Sequence, residues 1–314
     1  MRLREWGAFW LLGAIWGSSF LWIKIAVAEI GPVTLAAYRL LFGLAGLLPL
    51  AWMTGQAIPR DRGLLIRFLG LAVFNTALPF ALISWGETRI SSGLAAILNG
   101  STPLFTLIIA HFWLRDEKIT PRRAAGLALG FVGVVVLMSR DLGSPAALGS
   151  AWGQAAVLAA SCSYAVAATF ARASLRGQPL VLQATASVLM ADAVLWLAVP
   201  VAEWPPRLPH LPGTWVALGW LGLLGSCVAY LLYYYLINAW GATRATIVTY
   251  VFPVIGLFFG VAVLREPLTA QLVAGTLLIV TGIATATRAS IGRPVPQASW
   301  QSARPPRDGG RCRK

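Results

Sequence analysis

The sequence predicts an all-α integral membrane protein with ten transmembrane helices, arranged as two inverted five-helix repeats. Three observations predict this fold class. The 314 residues are 58% hydrophobic and 11% charged, with a mean hydropathy of +0.72, far more apolar than a soluble domain of this length. The apolar residues form ten separate runs. One stretch of sequence also occurs in two similar copies along the chain, which indicates a duplicated membrane unit.

Each apolar run is close to the length that a membrane helix needs, about 20 residues for about 30 Å of hydrocarbon. Helices and closed barrels are the only structures that satisfy the backbone within lipid, and the unbroken runs favour helices. We interpret the first run as a retained helix, because its apolar stretch is too long for a signal peptide and contains Lys24. In order, the predicted spans are 6–28, 33–53, 65–86, 92–114, 123–140, 148–171, 180–201, 213–238, 243–264 and 269–287.

The duplicated stretch covers residues 92–115 and 242–265, which align without a gap. Shared lipid-facing composition explains part of the agreement, but not the matched Pro, Arg and Glu. We therefore predict two repeats, residues 1–142 and 147–290. Each repeat has five spans, an odd number, so the second is inverted relative to the first. The aligned pairs are Ala95 with Ala245, Pro103 with Pro253, Arg115 with Arg265 and, after a shift of one residue, Glu117 with Glu266.

The net charge of +14 is concentrated on one side of this topology, which argues for a membrane orientation signal and against a nucleic-acid partner. The outside loops hold only Arg89, Arg140, Arg207 and Arg265. This bias predicts that both termini are cytoplasmic in a bacterial inner membrane, and that residues 291–314 form a disordered basic tail. The inside segments hold Arg2, Arg4, Arg60, Arg62, Arg67, Arg115, Lys118, Arg122, Arg123, Arg172, Arg176, Arg244 and Arg288.

Several short motifs resemble the EamA-type branch of the drug/metabolite transporter superfamily over about residues 6–288. The resemblance implies a pseudo-twofold ten-helix transporter without an ATPase, often an exporter of amino acids, metabolites or toxic compounds. Two departures stand out: Phe252 occupies a position that is often acidic, and residues 161–164 lack a Trp that members often carry. The motifs are WGSSF at 16–20 with Lys24, Arg39, STP at 101–103, LRDEKIT at 114–120, WGATR at 240–244, YVFP at 250–253 and REPLT at 265–269.

Ionisable residues inside the predicted spans are the first candidates for a functional site, because each costs about 2.5–3.5 kcal/mol to insert. Lys24 and Arg39 either make structural contacts, with Arg39 pairing to Glu29 or to carbonyls, or form a cationic lining for an anionic group. Asp192 is a coupling candidate that pairs with a neighbouring cation, relays a proton or meets a cationic substrate. Glu117 and Glu266 are predicted to be capping and ion-pair positions that close the last turn of each repeat, and a gate is the alternative.

Polar and aromatic residues at matching depths form the predicted substrate-binding wall, although each of them could instead bond a neighbouring helix. Pro103 and Pro253 are predicted hinges, because a mid-span proline removes a backbone hydrogen bond. These two helices, the fourth and the ninth, are predicted to flank the site. The remaining wall residues are Trp16, Ser18, Ser19, Asn75, Thr76, Asn99, Thr102, Tyr164, Tyr230, Thr249 and Tyr250.

These features predict a secondary active transporter that exports small organic metabolites, amino acids or related compounds or drugs, by alternating access. A channel-like facilitator, a lipid scramblase and, less readily, an intramembrane enzyme remain alternatives. The chain has no phosphate-binding loop and no His-Glu-x-x-His motif, so we expect no enzyme activity, no cofactor and no metal. The expected partners are a small-molecule substrate and the lipid bilayer, with the protein a monomer or a homodimer.

Overall fold

The computed structural model describes residues 3–56, 61–114, 118–139, 147–175, 178–240 and 246–287. Within these ranges the chain is helical and contains no strand. Arg115, Glu117 and the predicted basic tail at 291–314 lie outside the described residues.

Ten apolar helices confirm the predicted fold class. Eight of them are long and apolar enough to cross a membrane, and the ninth and tenth contain shorter apolar helices, Val248–Ala262 and Ala270–Ala286. Their ends agree with the predicted spans to within a few residues. The helices are α1 Leu3–Val27, α2 Pro32–Met53, α3 Arg62–Glu87, α4 Ser92–Trp113, α5 Pro121–Met138, α6 Ala147–Ser174, α7 Leu180–Ala202, α8 212–240, α9 246–262 and α10 Ala270–Thr287.

Local sequence signals explain where several of these helices begin. Asp61 accepts a hydrogen bond from the backbone N–H of Leu64 at the start of α3, at 2.7 Å. Ser91 serves in the same way at α4, where its hydroxyl accepts from the N–H of Leu94 at 3.3 Å. Such side chains satisfy amides that have no partner in the first helical turn.

Four of the spans depart from regular α-helix, and they form two matched pairs. A widened π-helical turn interrupts α3 at Val73–Ala77 and α8 at Trp220–Val228. In the other pair, α4 is broken between Asn99 and Thr102, and α9 begins with a tight 3₁₀ turn at Thr246–Tyr250. Because these helices occupy equivalent places in the two repeats, the irregularities repeat as well.

The two repeats run in opposite directions through the bundle. Lys24, near the last residue of α1, bonds backbone carbonyls at the end of α3. Gly153, near the first residues of α6, packs against Gly86 at that same end of α3. The end of α1 and the beginning of α6 therefore lie on one side, as an inverted repeat requires.

Glycines allow close backbone contacts between α5 and α10. A Cβ atom added at Gly282 would lie 2.5 Å from the backbone N of Gly130 and 2.7 Å from the carbonyl O of Gly126. Helices α4 and α9 are also in direct contact, with Gly100 against the Pro253 ring and Gly256 against Ala96. Small residues let the backbones approach this closely in membranes, where van der Waals packing drives helix association.

We expect Gly282→Ala to lower the unfolding temperature, because its methyl group would collide with the backbone of α5. Overpacking of this kind costs about 1–3 kcal/mol. Gly219→Ala in α8 is the matched control, since nothing lies within 4 Å of a Cβ added there. The control should leave the unfolding temperature unchanged or raise it. Equal effects of the two variants would show that the α5–α10 contact is not as close as described.

Candidate functional site

Three carboxylates close one end of the helix bundle, which we call the carboxylate end. Glu29 follows α1, Glu203 follows α7 and Glu266 follows α9. Each accepts backbone hydrogen bonds at the beginning of a helix that belongs to the other half of the chain. A helix start carries unpaired amides and a partial positive charge, so it is a favourable place for a carboxylate.

The hydrogen bonds that these three carboxylates accept are short and connect the two halves of the chain. Glu203 accepts from the N–H groups of Val33 and Thr34 at 2.7 and 2.9 Å, and from the Thr34 hydroxyl at 2.7 Å. Glu266 accepts from the N–H groups of Ser92 and Gly93 at 2.6 and 2.9 Å. The capping role predicted for Glu266 is thus seen, at the start of α4.

The third cap is Glu29, which accepts from the N–H groups of His210 and Leu211 at 2.5 and 3.0 Å, just before α8. It does not pair with Arg39, as the sequence allowed. The Thr214 hydroxyl and the two backbone N–H groups hold the pKa of the Glu29 carboxyl below its ordinary value. A carboxyl group with a lowered pKa stabilises the fold in its ionised form.

The stability contributed by Glu29 should therefore be present near neutral pH and be lost as the pH falls through the lowered pKa of the folded state. We expect the unfolding temperature to fall as the pH drops from about 5 to about 3, a range that begins near the ordinary pKa of glutamate and extends below it. Glu29→Gln should show a smaller fall over the same range. An identical pH dependence in both proteins would mean that the Glu29 cap does not contribute.

Arg39 lies in the bundle beneath the carboxylate end and is only 5% exposed. Its Nε donates to the Ser226 hydroxyl of α8 at 3.3 Å, and its guanidinium lies 3.8 Å from the centre of the Phe80 ring. Tyr164 of α6, Tyr230 of α8 and Glu87 at the end of α3 are close enough to interact with it electrostatically. Within the described residues no carboxylate forms an ion pair with this buried charge.

The wall around Arg39 brings together many of the predicted site residues. Trp16 donates from Nε1 to the carbonyl of Gly225 at 3.0 Å, and its ring packs edge-on against Tyr230 and Phe252, with centroids 6.2 and 5.7 Å away. Ser18 accepts from Trp220 Nε1 at 3.1 Å. Phe252 is thus part of an aromatic wall.

The two widened turns position polar groups in this wall. In α3 the turn precedes Pro79, which has no N–H to bond the carbonyl of Asn75, so the regular helical pattern is interrupted there. Asn75 and Thr76 in this turn interact with the Tyr230 hydroxyl. The Phe74 carbonyl accepts from Ser163 of α6 at 2.7 Å. Such turns occur often at functional sites.

Lys24 makes backbone contacts near the carboxylate end. Its Nζ donates to the carbonyls of Glu87 and Ile90 at 2.6 and 2.7 Å. The neighbouring Glu87 side chain is completely buried, and neither of its oxygens has a hydrogen-bond partner. The sequence analysis missed Glu87, because the predicted span ended one residue earlier and an acid after a span resembles a loop residue.

Other predicted site residues lie outside the immediate surroundings of Arg39. Asp192 on α7 is buried and bonds Trp196, one turn further along its own helix, while its Oδ1 has no partner. Asn99 accepts weakly from Ser161, and Thr102 bonds the Asn99 carbonyl. Ser19, in contrast, lies near Arg39: its Oγ and the Arg39 Nη2 lie 3.7 and 3.5 Å from the position of a Cβ atom added at Gly225. Its hydroxyl bonds the carbonyl of Ile15 in its own helix.

The proline helices do not flank an open site. Pro103 lies in the first turn after the break in α4, and Pro253 lies in the first turn of regular helix in α9. Since Gly100 contacts the Pro253 ring, the two helices pack directly on one another there. Thr249 and Tyr250 lie in the 3₁₀ turn that precedes this contact, and both are partly buried.

The arrangement around Arg39 is suited to binding a small molecule with an anionic group. A buried guanidinium supplies charge and directed donors, and the tyrosines and Trp16 supply apolar faces with polar edges. The neighbouring groups come from α1, α3, α6 and α8, so both repeats contribute.

A model of the EamA-like transporter family matches residues 5–139 and 151–288. The uncharacterized inner membrane transporter YedA of Escherichia coli K12 is 34% identical over 283 residues, which cover 86% of this chain and 87% of YedA. An uncharacterized transporter from Archaeoglobus fulgidus is 29% identical over 90% of this chain and 98% of its own length.

A solved crystal structure of another protein has a similar fold. It aligns with 93% of this chain and 99% of its own chain, with a TM-score of 0.65 and 19% sequence identity. At that identity the likeness concerns the fold alone.

Proposed function

The chain belongs to the EamA-like transporter family and is a multi-span membrane transporter, and from that premise we propose that it is a secondary active transporter exporting small organic metabolites that carry an anionic group. Amino acids and related carboxylates fit this description, as do amphipathic anionic drugs. The residue that binds the anionic group is Arg39. The distribution of basic residues supports an orientation in a bacterial inner membrane with both termini in the cytoplasm.

The observation that carries this proposal is the buried Arg39 without an ionic partner in the described residues. A charge within a membrane is costly, and charged residues there usually pair with one another or mark a substrate pathway. The Ser226 hydroxyl and the Phe80 ring offset only part of this cost. A substrate carboxylate would complete the charge pair, and the guanidinium can bind it with two parallel hydrogen bonds.

The two repeats, residues 1–142 and 147–290, would move relative to one another during transport. The carboxylate end faces the outside in the proposed orientation, and the Glu29, Glu203 and Glu266 caps hold it closed. Opening toward the outside breaks these caps, while Pro103 and Pro253 absorb the change in helix direction. In this proposal the structure is a state closed to the outside, one of the two states that alternating access requires.

The remaining predicted residues take supporting roles. Trp16, Ser18, Tyr164 and Tyr230 line the site around Arg39, and Asn75 and Thr76 hold the Tyr230 hydroxyl. Asp192, on α7, stays a coupling candidate as a further ionisable group inside a span. The proposal needs no cofactor or metal ion in addition to the substrate.

Counterflow in proteoliposomes tests the proposal. Vesicles loaded with an unlabelled amino acid should take up the labelled form transiently and saturably, for at least one member of a panel of proteinogenic amino acids. The carboxamide of that amino acid, which lacks the negative charge, should neither be taken up nor compete. Unsaturable flux would favour a channel, flipping of a labelled lipid would favour a scramblase, and equal uptake of the carboxamide would contradict the role of Arg39.

A further inference from the structure

We propose that Glu87 is a proton-binding site whose occupancy controls the closure of the carboxylate end, so that transport is coupled to protons. The inference rests on the proposed transport function and names its coupling ion and the residue that binds it. The site lies where α3 ends, between Lys24 of α1 and the start of α4, which Glu266 caps.

Glu87 differs from the three capping glutamates in its surroundings. Glu29, Glu203 and Glu266 each accept backbone N–H groups at a helix start, whereas Glu87 accepts no hydrogen bond. It stands at the end of α3, where the partial charge of the helix is negative and a carboxylate is disfavoured. A structural role as a cap is therefore excluded by its place in the helix.

The side chain is 0% exposed, and the residues one helical turn before it and three positions after it, Ile83 and Ile90, belong to the hydrophobic core. An isolated carboxylate is very costly in such surroundings, and the group is stable there when it is neutral. The geometry thus corresponds to a protonated Glu87.

Lys24 is a nearby cation that can pair with the Glu87 carboxylate after the proton is lost. Its ammonium forms two hydrogen bonds with the carbonyls of Glu87 and Ile90, and none with the Glu87 carboxyl. When Glu87 loses its proton, the nearby ammonium can leave one of these carbonyls and pair with the carboxylate. The pair then has two arrangements, one for each protonation state.

The charges facing Glu87 come from several elements. Lys24 faces it from α1, Arg39 from α2, and Glu266 from the segment after α9, each close enough to interact electrostatically. From the described parts of α4 and α6, which also pack against the end of α3, the nearby polar groups Ser92 and Gln154 carry no charge. Two cations and one anion therefore surround the site. Lys24 and Arg39 favour the ionised form of Glu87, and Glu266 favours the protonated form.

Loss of the proton would weaken the contact between the two halves. A negative Glu87 repels Glu266, which binds the N–H groups of Ser92 and Gly93 only a few residues further along the chain. Moving Lys24 to the carboxylate also removes its bond to the turn that connects α3 and α4. Both effects favour opening of the carboxylate end, whereas proton binding favours its closure. A proton taken from outside would thus close the outer side, as an exporter driven by proton entry requires.

The first test detects the protonated carboxyl directly by infrared spectroscopy of the protein in lipid nanodiscs, between about pH 5 and about pH 9, a range reached by buried carboxyl groups. The carbonyl stretch of a protonated carboxylic acid should be present at neutral pH and be lost as the pH rises. Glu87→Gln should lose this band, and Asp192→Asn, which removes the other buried carboxyl described here, should keep it. Absence of the band in the unchanged protein, or its loss only in Asp192→Asn, would overturn the proposal.

The second test measures the opening. Spin labels at Arg89 and Leu268, both exposed at the carboxylate end, report the separation of the two halves in a cysteine-free protein. We expect the separation to increase as the pH rises, and to stay short at every pH in Glu87→Gln. The same pH response in both proteins would contradict the inference. Neither test needs a substrate. Failure of counterflow with both tests positive would remove transport and its coupling but leave Glu87 as a proton site that controls closure, whereas failure here with intact counterflow would remove only the inference about Glu87.

Discussion

Replacing Arg39 by glutamine is expected to abolish counterflow without destabilising the protein. The guanidinium is buried without an ionic partner in the described residues, so its removal eliminates a charge that costs about 2.5–3.5 kcal/mol in a membrane. The lost contact with the Phe80 ring is worth about 2 kcal/mol. The unfolding free energy should therefore stay unchanged or rise by about 1 kcal/mol, the difference between these two effects.

The loss of transport should be large, because an unpaired substrate carboxylate within the site costs about 2–5 kcal/mol, or at least about a thirtyfold loss of affinity. Arg39→Lys is the matched control, since it keeps the charge but cannot form the two parallel hydrogen bonds of a guanidinium with a carboxylate. It should retain partial counterflow with a raised half-saturation concentration. If Arg39→Gln unfolds at a much lower temperature, Arg39 has a structural role and the substrate proposal loses its main support.

Replacing Glu203 by glutamine should shift the protein toward the state that is open at the carboxylate end. The change removes a charge that accepts three hydrogen bonds at the start of α2, and each charge-assisted bond contributes about 1.5–3 kcal/mol. Since glutamine can retain part of this set, we expect a loss of about 2 kcal/mol from the closed state. That corresponds to a shift of roughly thirtyfold in the ratio of closed to open molecules.

Glu29→Gln serves as the comparison for this variant. The Glu29 hydrogen bonds are exposed to solvent, whereas Thr34 at the Glu203 cap is buried, so the effect of Glu29→Gln should be smaller. The separation of spin labels at the carboxylate end measures both shifts. An unchanged separation in Glu203→Gln would show that this cap stabilises α2 without controlling an opening.

The sequence was sufficient to predict the helices, their number and their inversion. The thickness of the hydrocarbon layer fixes the length of each span, and the odd number of spans in each repeat fixes the inversion. It did not reveal the widened turns of α3 and α8, although Pro79 is a signal for the first. The same gapless alignment that pairs Ala95 with Ala245 also pairs Thr76 with Ser226, and this match between the two turns could have been noticed.

The candidate site was only partly predictable. Arg39 and Tyr230 could be recognised as polar groups inside spans, but their approach depends on packing between residues nearly two hundred positions apart. The Glu203 and Glu29 caps were not predicted, since a carboxylate after one helix gives no indication of which distant helix start it binds. The space predicted between α4 and α9 is filled by the contact of Gly100 with the Pro253 ring, so the site that we propose lies beside Arg39 instead.

The most direct test of the account is the accessibility of a cysteine beside Arg39. Ser226→Cys, in a protein whose native Cys162, Cys227 and Cys312 are replaced by serine, puts a thiol close to the guanidinium with little change in size. In sealed proteoliposomes an impermeant thiol reagent should reach it from either side, but in separate conformations. Glu203→Gln should increase labelling from the carboxylate end and decrease it from the opposite end, and a saturating transported amino acid should protect the thiol. Simultaneous labelling from both ends, or labelling that the amino acid does not affect, would contradict an alternating-access site at Arg39.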